Sequence, residues 1–260
     1  MALTYWSYLQ LEKVLDSQRP QSDPAEHDEI LFIVIHQTYE LWFKLLLHEL
    51  DKVKRDFTAS DLYGAIHTFK RARTVMKTLV QQVDILETMT PMSFTSFRDR
   101  LDTASGFQSA LFRELEFSLG YKRPDMLVHV PAGAPRRAEI ERRLSGPSVM
   151  EHFYDFLEKR GATIPPELRA KPPTQGTTPH VAIQDAIFDL YKKHADVAIL
   201  FELMTDFDEG LQEWRYRHIK LVERTIGAKK GTGGSLGVEF LKESLFKPIF
   251  PDLWAIRHRL

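Results

Sequence analysis

The stretch LFIVIHQTYELWFK, Leu31 to Lys44, decides the fold class. Its polar residues recur at helical spacing: His36, Glu40 and Lys44, then His48 one turn further on, fall every four residues and share one stripe, flanked by Tyr39 and Phe43. A helix therefore carries a histidine directly behind the apolar run Phe32, Ile33, Val34 and Ile35. Spacing leaves His36 with two readings, a hydrogen-bonded core histidine or a residue placed to meet a ligand. A zinc helix is excluded. HExxH sets two histidines four apart with a glutamate as base, whereas this chain has HQTYE. His36 and His48 would lie roughly 18 Å apart along a helix axis, too far to share a metal.

Outward from this helix the pattern stays helical. Upstream, DPAE offers Asp23 as N-cap, Pro24 at the first helical position and Glu26 at the capping-box position, which predicts a helix from there to about Phe57. A second helix is predicted from near Asp61, with Leu62, Ile66, Phe69, Val75, Leu79, Val83 and Leu86 near helical spacing. Thr90 and Pro91 stop it and restart the chain, and FQSALFRELEFSLG ends on Gly120, a C-cap signal. The segment 121–172 is richer in Pro, Arg and Gly and holds two shorter helical patterns, 138–144 and 149–159, so it reads as an excursion from the main bundle. A long helical stretch from about His180 to Ile226, broken near Asp206 to Glu209, precedes GAKKGTGGSLG. No alternating run supports a sheet. The expectation is all-α: one domain over residues 1–260, with 1–22 as an N-terminal arm.

Composition narrows the chemistry. Apolar residues at 43% and charged ones at 27% make a globular chain, not a disordered one. Lys plus Arg (35) nearly cancels Asp plus Glu (36), which leaves no overall field for nucleic acid or an anionic membrane. With no run of 18 uninterrupted apolar residues and no secretory leader pattern, a cytoplasmic protein is expected. The absence of cysteine excludes disulfides, iron–sulfur clusters, thiolate-ligated haem and CxxCH attachment, so any metal must rest on histidine and carboxylates.

Three more features bear on a site. In GLQEWRYRHIKLVERTIG, Leu211, Trp214, His218, Leu221 and Thr225 follow one helical stripe, so His218 sits in line with apolar residues, either as a core histidine or as a buried ligand. GTGGSLG is no Walker loop, since a helix precedes it and no lysine follows in register; it is a loop able to approach a ligand with its backbone and Thr232, or a plain connection. Arg98, four residues after Phe94 and next to Phe97, suits bidentate binding of a carboxylate or pairing with Asp99 or Asp102.

Taken in order, YWSYLQL, HDEILFIVIHQTYELWFKLLLHEL, FRDRLDTASGFQSALFRELEFSLG, WRYRHIKLVERTIGAKKGTGGSLG and FLKESLFKPIFPDLW resemble the successive motifs of the tryptophan 2,3-dioxygenase family, over nearly the whole chain. The resemblance implies a homotetramer, a dimer of dimers, binding non-covalent haem b, ferrous when active, together with L-tryptophan and O₂. His218 takes the place of the axial haem ligand, with Ser105 and Gly106 near the haem edge. His36 takes that of the histidine meeting the indole N–H, with Phe32, Ile33, Val34 and Ile35 around the ring. Arg98 is similar to the residue gripping the substrate carboxylate and Thr232 to the one near its ammonium. Tyr5, Tyr8 and Leu9 are similar to residues that cross into a neighbouring subunit's pocket. Phe94 departs from those relatives that carry tyrosine there, so a hydroxyl contact to the carboxylate is lost. The implied reaction gives N-formyl-L-kynurenine. The alternatives are a monooxygenase of the same superfamily forming an oxindole and a non-enzymatic haem or gas sensor.

Overall fold

The computed structural model describes residues 2–229, 231 and 237–260, and among these there is helix but no strand. In chain order the α-helices are α1 (Tyr5–Leu9), α2 (Leu11–Leu15), α3 (His27–Ala59), α4 (Leu62–Leu86), α5 (Pro91–Arg98), α6 (Ala110–Leu119) and α7 (Arg137–Ser145). They continue with α8 (Val149–Glu158), α9 (Pro166–Ala170), α10 (Val181–Lys193), α11 (Ala195–Ile226), α12 (Val238–Lys242) and α13 (Pro251–Ala255).

Three long helices make the centre, α4 packing on both α3 and α11. Leu46, Leu50, Val53 and Phe57 of α3 meet Phe69, Ala72 and Leu79 of α4 and Leu200, Phe201 and Phe207 of α11, all with 0% exposure. Each large side chain removed from water in this way contributes about 1.5–3 kcal/mol, which is what holds helices this long in register. A Cβ at Gly210 would lie 3.3 Å from the Met76 Cβ, so the glycine sets how closely α11 approaches α4.

Most helix boundaries follow local capping chemistry. The Asp61 carboxylate accepts from the Gly64 amide (2.9 Å) to open α4, and the Thr90 hydroxyl accepts from the Ser93 amide (3.0 Å) ahead of Pro91 in α5. Two boundaries differ from expectation. Helix α3 opens at His27, with Asp23 and Pro24 in a bend before it. The buried Glu29 carboxylate accepts from the amides of Gln21 (2.7 Å) and Ser22 (3.0 Å) and from the Ser22 hydroxyl, reeling the preceding chain onto the first turn. The late helical stretch breaks at His194, whose backbone is extended, and runs unbroken through Asp206 to Glu209. The reason is Asp208. Fully buried, it accepts from the Ile249 amide (2.9 Å), the Phe250 amide (3.0 Å) and the Trp254 indole (3.0 Å), so the acidic run fastens the C-terminal strap to α11.

The middle segment divides. Ile140 and Leu144 of α7 join Phe117 and Met126 in a small separate core. Helix α8 enters the main core, its Phe153 and Phe156 rings 5.5 and 5.2 Å from that of Phe57. Helices α1 and α2 bury no residue. Helix α3 is long and apolar enough to cross a membrane by length and composition, yet one face of it is the centre of the core. Its other face exposes Ile30, Val34 and Leu41.

Candidate active site

The two singled-out histidines line one cavity, of about 280 Å³, enclosed by α3, α4, α5, α6, α11 and α12. His36 comes from α3 and His218 from α11, so the packing of these helices brings together residues far apart in sequence.

The His36 ring lies 4.1 Å from that of Phe32, and Phe32 in turn meets Phe94 (5.7 Å) and Phe97 (5.6 Å), an aromatic wall across α3 and α5. His36 Nδ1 lies 2.7 Å from the Phe32 carbonyl. A carbonyl only accepts, so Nδ1 carries the proton. Burial holds the ring below the ordinary imidazole range, partly offset by that hydrogen bond, so His36 is neutral near pH 7. A neutral ring protonated on Nδ1 leaves Nε2 as a bare acceptor. In an apolar cavity such an acceptor selects a donor, such as the N–H of an aromatic heterocycle.

His218 is stacked on Trp214, with ring centroids 5.2 Å apart and planes 5° from parallel. Trp214 is itself wedged by Phe112 (5.0 Å), Phe43 (6.0 Å) and Tyr39 (6.1 Å). The Tyr39 hydroxyl donates to the Leu79 carbonyl (3.0 Å), tying this wall to α4. Burial, with a smaller push from His36, lowers the His218 pKa to about 4, so the ring is a neutral imidazole. No side chain or carbonyl among the described residues hydrogen-bonds to it.

One wall is charged. Glu116, 2% exposed, accepts from Arg113 and from Arg123 (3.1 Å) and lies 3.5 Å from an Arg215 nitrogen. Arg215, 3% exposed, also donates to the Lys247 carbonyl (3.0 Å). Three guanidinium groups thus face one carboxylate. The Arg123 Nε and the Arg215 Nε and Nη2 have no hydrogen-bond partner. Sequence reading missed this wall, because RELE in a helix looks like a solvated face until tertiary packing buries it. Glu40, on the same stripe as His36, also lines the cavity, its pKa raised by burial and held back by a hydrogen bond with Ser109.

Of the other expected site residues, Phe94, Arg98, Ser105 and Gly106 line the cavity. Ile33, Val34 and Ile35 do not: successive helical positions turn by about 100°, so Ile35 packs into the core and Val34 faces outward. Tyr5, Tyr8 and Leu9 are exposed on α1, away from this chain's cavity. Thr232 lies outside the described residues, while Gly231 and Gly237 on either side of it line the cavity.

Comparison with known proteins is consistent across the chain. The sequence model of the family described as tryptophan 2,3-dioxygenase matches residues 1–129 and 175–260. The segment between, with α7, α8 and α9, lies outside the match. The chain is 50% identical over 256 residues to the tryptophan 2,3-dioxygenase of Herpetosiphon aurantiacus, covering 98% of both chains. It is 49% identical over 259 residues to that of Anaeromyxobacter sp. strain K, covering 100% of this chain and 97% of the relative. The Bacillus cereus strain ZK enzyme of the same name is 40% identical over 261 residues, 99% of this chain and 93% of its own.

Proposed function

The chain belongs to the tryptophan 2,3-dioxygenase family, and from that premise we propose that its cavity binds haem and L-tryptophan and adds both atoms of O₂ across the indole C2–C3 bond. The product is N-formyl-L-kynurenine, so the chain is an oxidoreductase that opens tryptophan breakdown. The observation that carries the site assignment is the pairing of His36, a bare acceptor, with His218, a neutral imidazole that has no hydrogen-bond partner, in one cavity.

The residues present fit a haem. No group of three His, Cys, Asp or Glu among the described residues could hold a bare metal ion, whereas a single imidazole would suffice to hold a haem. The guanidinium wall of Arg113, Arg123 and Arg215 fits the acidic edge of such a group, and the apolar walls fit its face. When bound, haem supplies the oxygen activation. The protein's share is positioning. His218 would hold the haem iron, and Trp214, stacked on it, fixes the plane of its ring. His36 Nε2 accepts the indole N–H, and Phe32 and Phe94 flank the ring and exclude water. Arg98 pairs with the substrate carboxylate, and Thr232 meets its ammonium. No side chain needs to act as a strong base.

A second copy of the chain is the natural cover for the outward face of α3 and for α1 and α2. Tyr5 (76%), Tyr8 (69%) and Leu3 (75%) are strongly exposed, more apolar surface than a lone arm keeps in water. This supports the homotetramer, with the arm of one subunit completing the pocket of its neighbour. The deciding experiment is anaerobic reduction of the haem-loaded protein, addition of O₂ and L-tryptophan, and mass spectrometry. A gain of two oxygen atoms is expected. A gain of one would assign an oxindole-forming monooxygenase, and no product with haem retained would leave a sensor.

A further inference from the structure

A second cavity, of about 310 Å³, lies on the opposite side of α11, between that helix and the C-terminal strap. Its walls are of two kinds. Tyr216, Phe246 and Trp254 supply aromatic rings, and Glu209 and Glu213, one helical turn apart on α11, supply two carboxylates. No basic side chain among the described residues forms an ion pair with either glutamate. The Trp254 indole donates to the buried Asp208 (3.0 Å), which anchors that ring beside the groove. Phe246 is 86% exposed, and its backbone has φ of 57°, a left-handed conformation that a bulky side chain adopts only at a cost. Within this chain the Phe246 ring packs on little else and stands at the edge of the groove.

We propose that this groove binds an organic ammonium ion with an apolar body, of the arylalkylammonium class. Aromatic faces attract a cation through their quadrupole, and two unneutralised carboxylates add to that attraction. The volume suits a single small molecule rather than a peptide. The same charges disfavour zwitterionic amino acids, whose carboxylate would face Glu209 and Glu213. The groove is thus selective for the decarboxylated, monocationic form of an aromatic amine and does not duplicate the tryptophan pocket.

The test uses haem-loaded full-length protein, kept anaerobic with saturating L-tryptophan to fill the main cavity, and benzyltrimethylammonium as probe in ligand-observed NMR titration. Saturable binding is expected, with 3-phenylpropionate, the anionic control, not bound. Glu209→Gln with Glu213→Gln should weaken the probe roughly tenfold. Phe246→Gly should weaken it about fivefold while raising Tm, because glycine tolerates the left-handed backbone. No saturation up to millimolar probe, equal binding of the anionic control, or unchanged affinity in the double glutamine variant would each overturn the proposal. A Tm that falls in Phe246→Gly, with binding retained, would show that the ring serves packing and would overturn it as well.

Discussion

Replacing His36 with alanine tests the recognition geometry directly. In the wild-type cavity the indole N–H of tryptophan meets Nε2 of a ring whose other nitrogen is committed to the Phe32 carbonyl at 2.7 Å. Removing the ring leaves a buried N–H facing Phe32 and Phe94 with no acceptor. An unsatisfied buried donor costs about 1–3 kcal/mol, so L-tryptophan affinity should fall about 5- to 150-fold. Water admitted to the space left behind would pull the value toward the lower end. The assay is a tryptophan titration of the haem spectrum of wild-type and His36→Ala protein, repeated with 1-methyltryptophan, which has no N–H to lose. The substitution should affect the methylated analogue by less than a factor of about 3, since only packing changes for it. The pH dependence adds a second reading. Burial lowers the His36 pKa, so wild-type affinity should stay level from pH 8 to pH 6.5 and decline only below that, as protonation of Nε2 sets one donor against another. Equal losses for tryptophan and its methylated analogue would refute the hydrogen bond and return His36 to a packing role.

Other predictions concern separate parts of the molecule. His218→Ala should lose stoichiometric haem, measured by Soret absorbance after gel filtration, whereas His36→Ala should keep it. Arg98→Leu should retain haem but weaken L-tryptophan by about 3 kcal/mol or more, because the carboxylate loses its partner in a site where Phe94 offers no hydroxyl; tryptamine, without a carboxylate, should change little in the same titration. Deleting residues 1–15 should lower the mass seen by light scattering and weaken tryptophan binding together, if the exposed Tyr5 and Tyr8 complete a neighbour's pocket. At Glu151, burial raises the pKa, but hydrogen bonds from Lys171 and Ser148 outweigh it and bring the value to about 2. A folded-state pKa below the usual 4.5 means that its stabilisation is complete above pH 4.5 and is lost as pH falls toward 2. Urea denaturation should show Glu151→Gln costing on the order of 2–3 kcal/mol at pH 7 and far less near pH 2.

Much of the fold is local chemistry, and the chain states it openly. The apolar stripe through Leu46, Leu50 and Phe57, the Asp61 and Thr90 caps and Gly120 with its φ of 98° each act within a turn or two, so spacing alone places α3, α4, α5 and α6. The cavity residues on those stripes, Phe32, His36, Trp214 and His218, were legible for the same reason, as was their likeness to a known family. What sequence could not determine is any outcome that depends on a distant partner. Asp208 reads as part of a helix-breaking acidic run until Ile249, Phe250 and Trp254 arrive to donate to it, and Glu29 overrides the Asp23 cap only because the chain before it can fold back. RELE looks like a solvated face, yet Glu116 is buried among three arginines drawn from α6, α11 and the loop between α6 and α7. Burial raises or lowers the energy of a charge by more than any local propensity does, and it is fixed by which helices meet. The sequence by itself therefore determined the helices and the identity of the two histidines. Only the tertiary structure decided that those histidines share a cavity, which nitrogen of His36 is free, and which charges stand behind them.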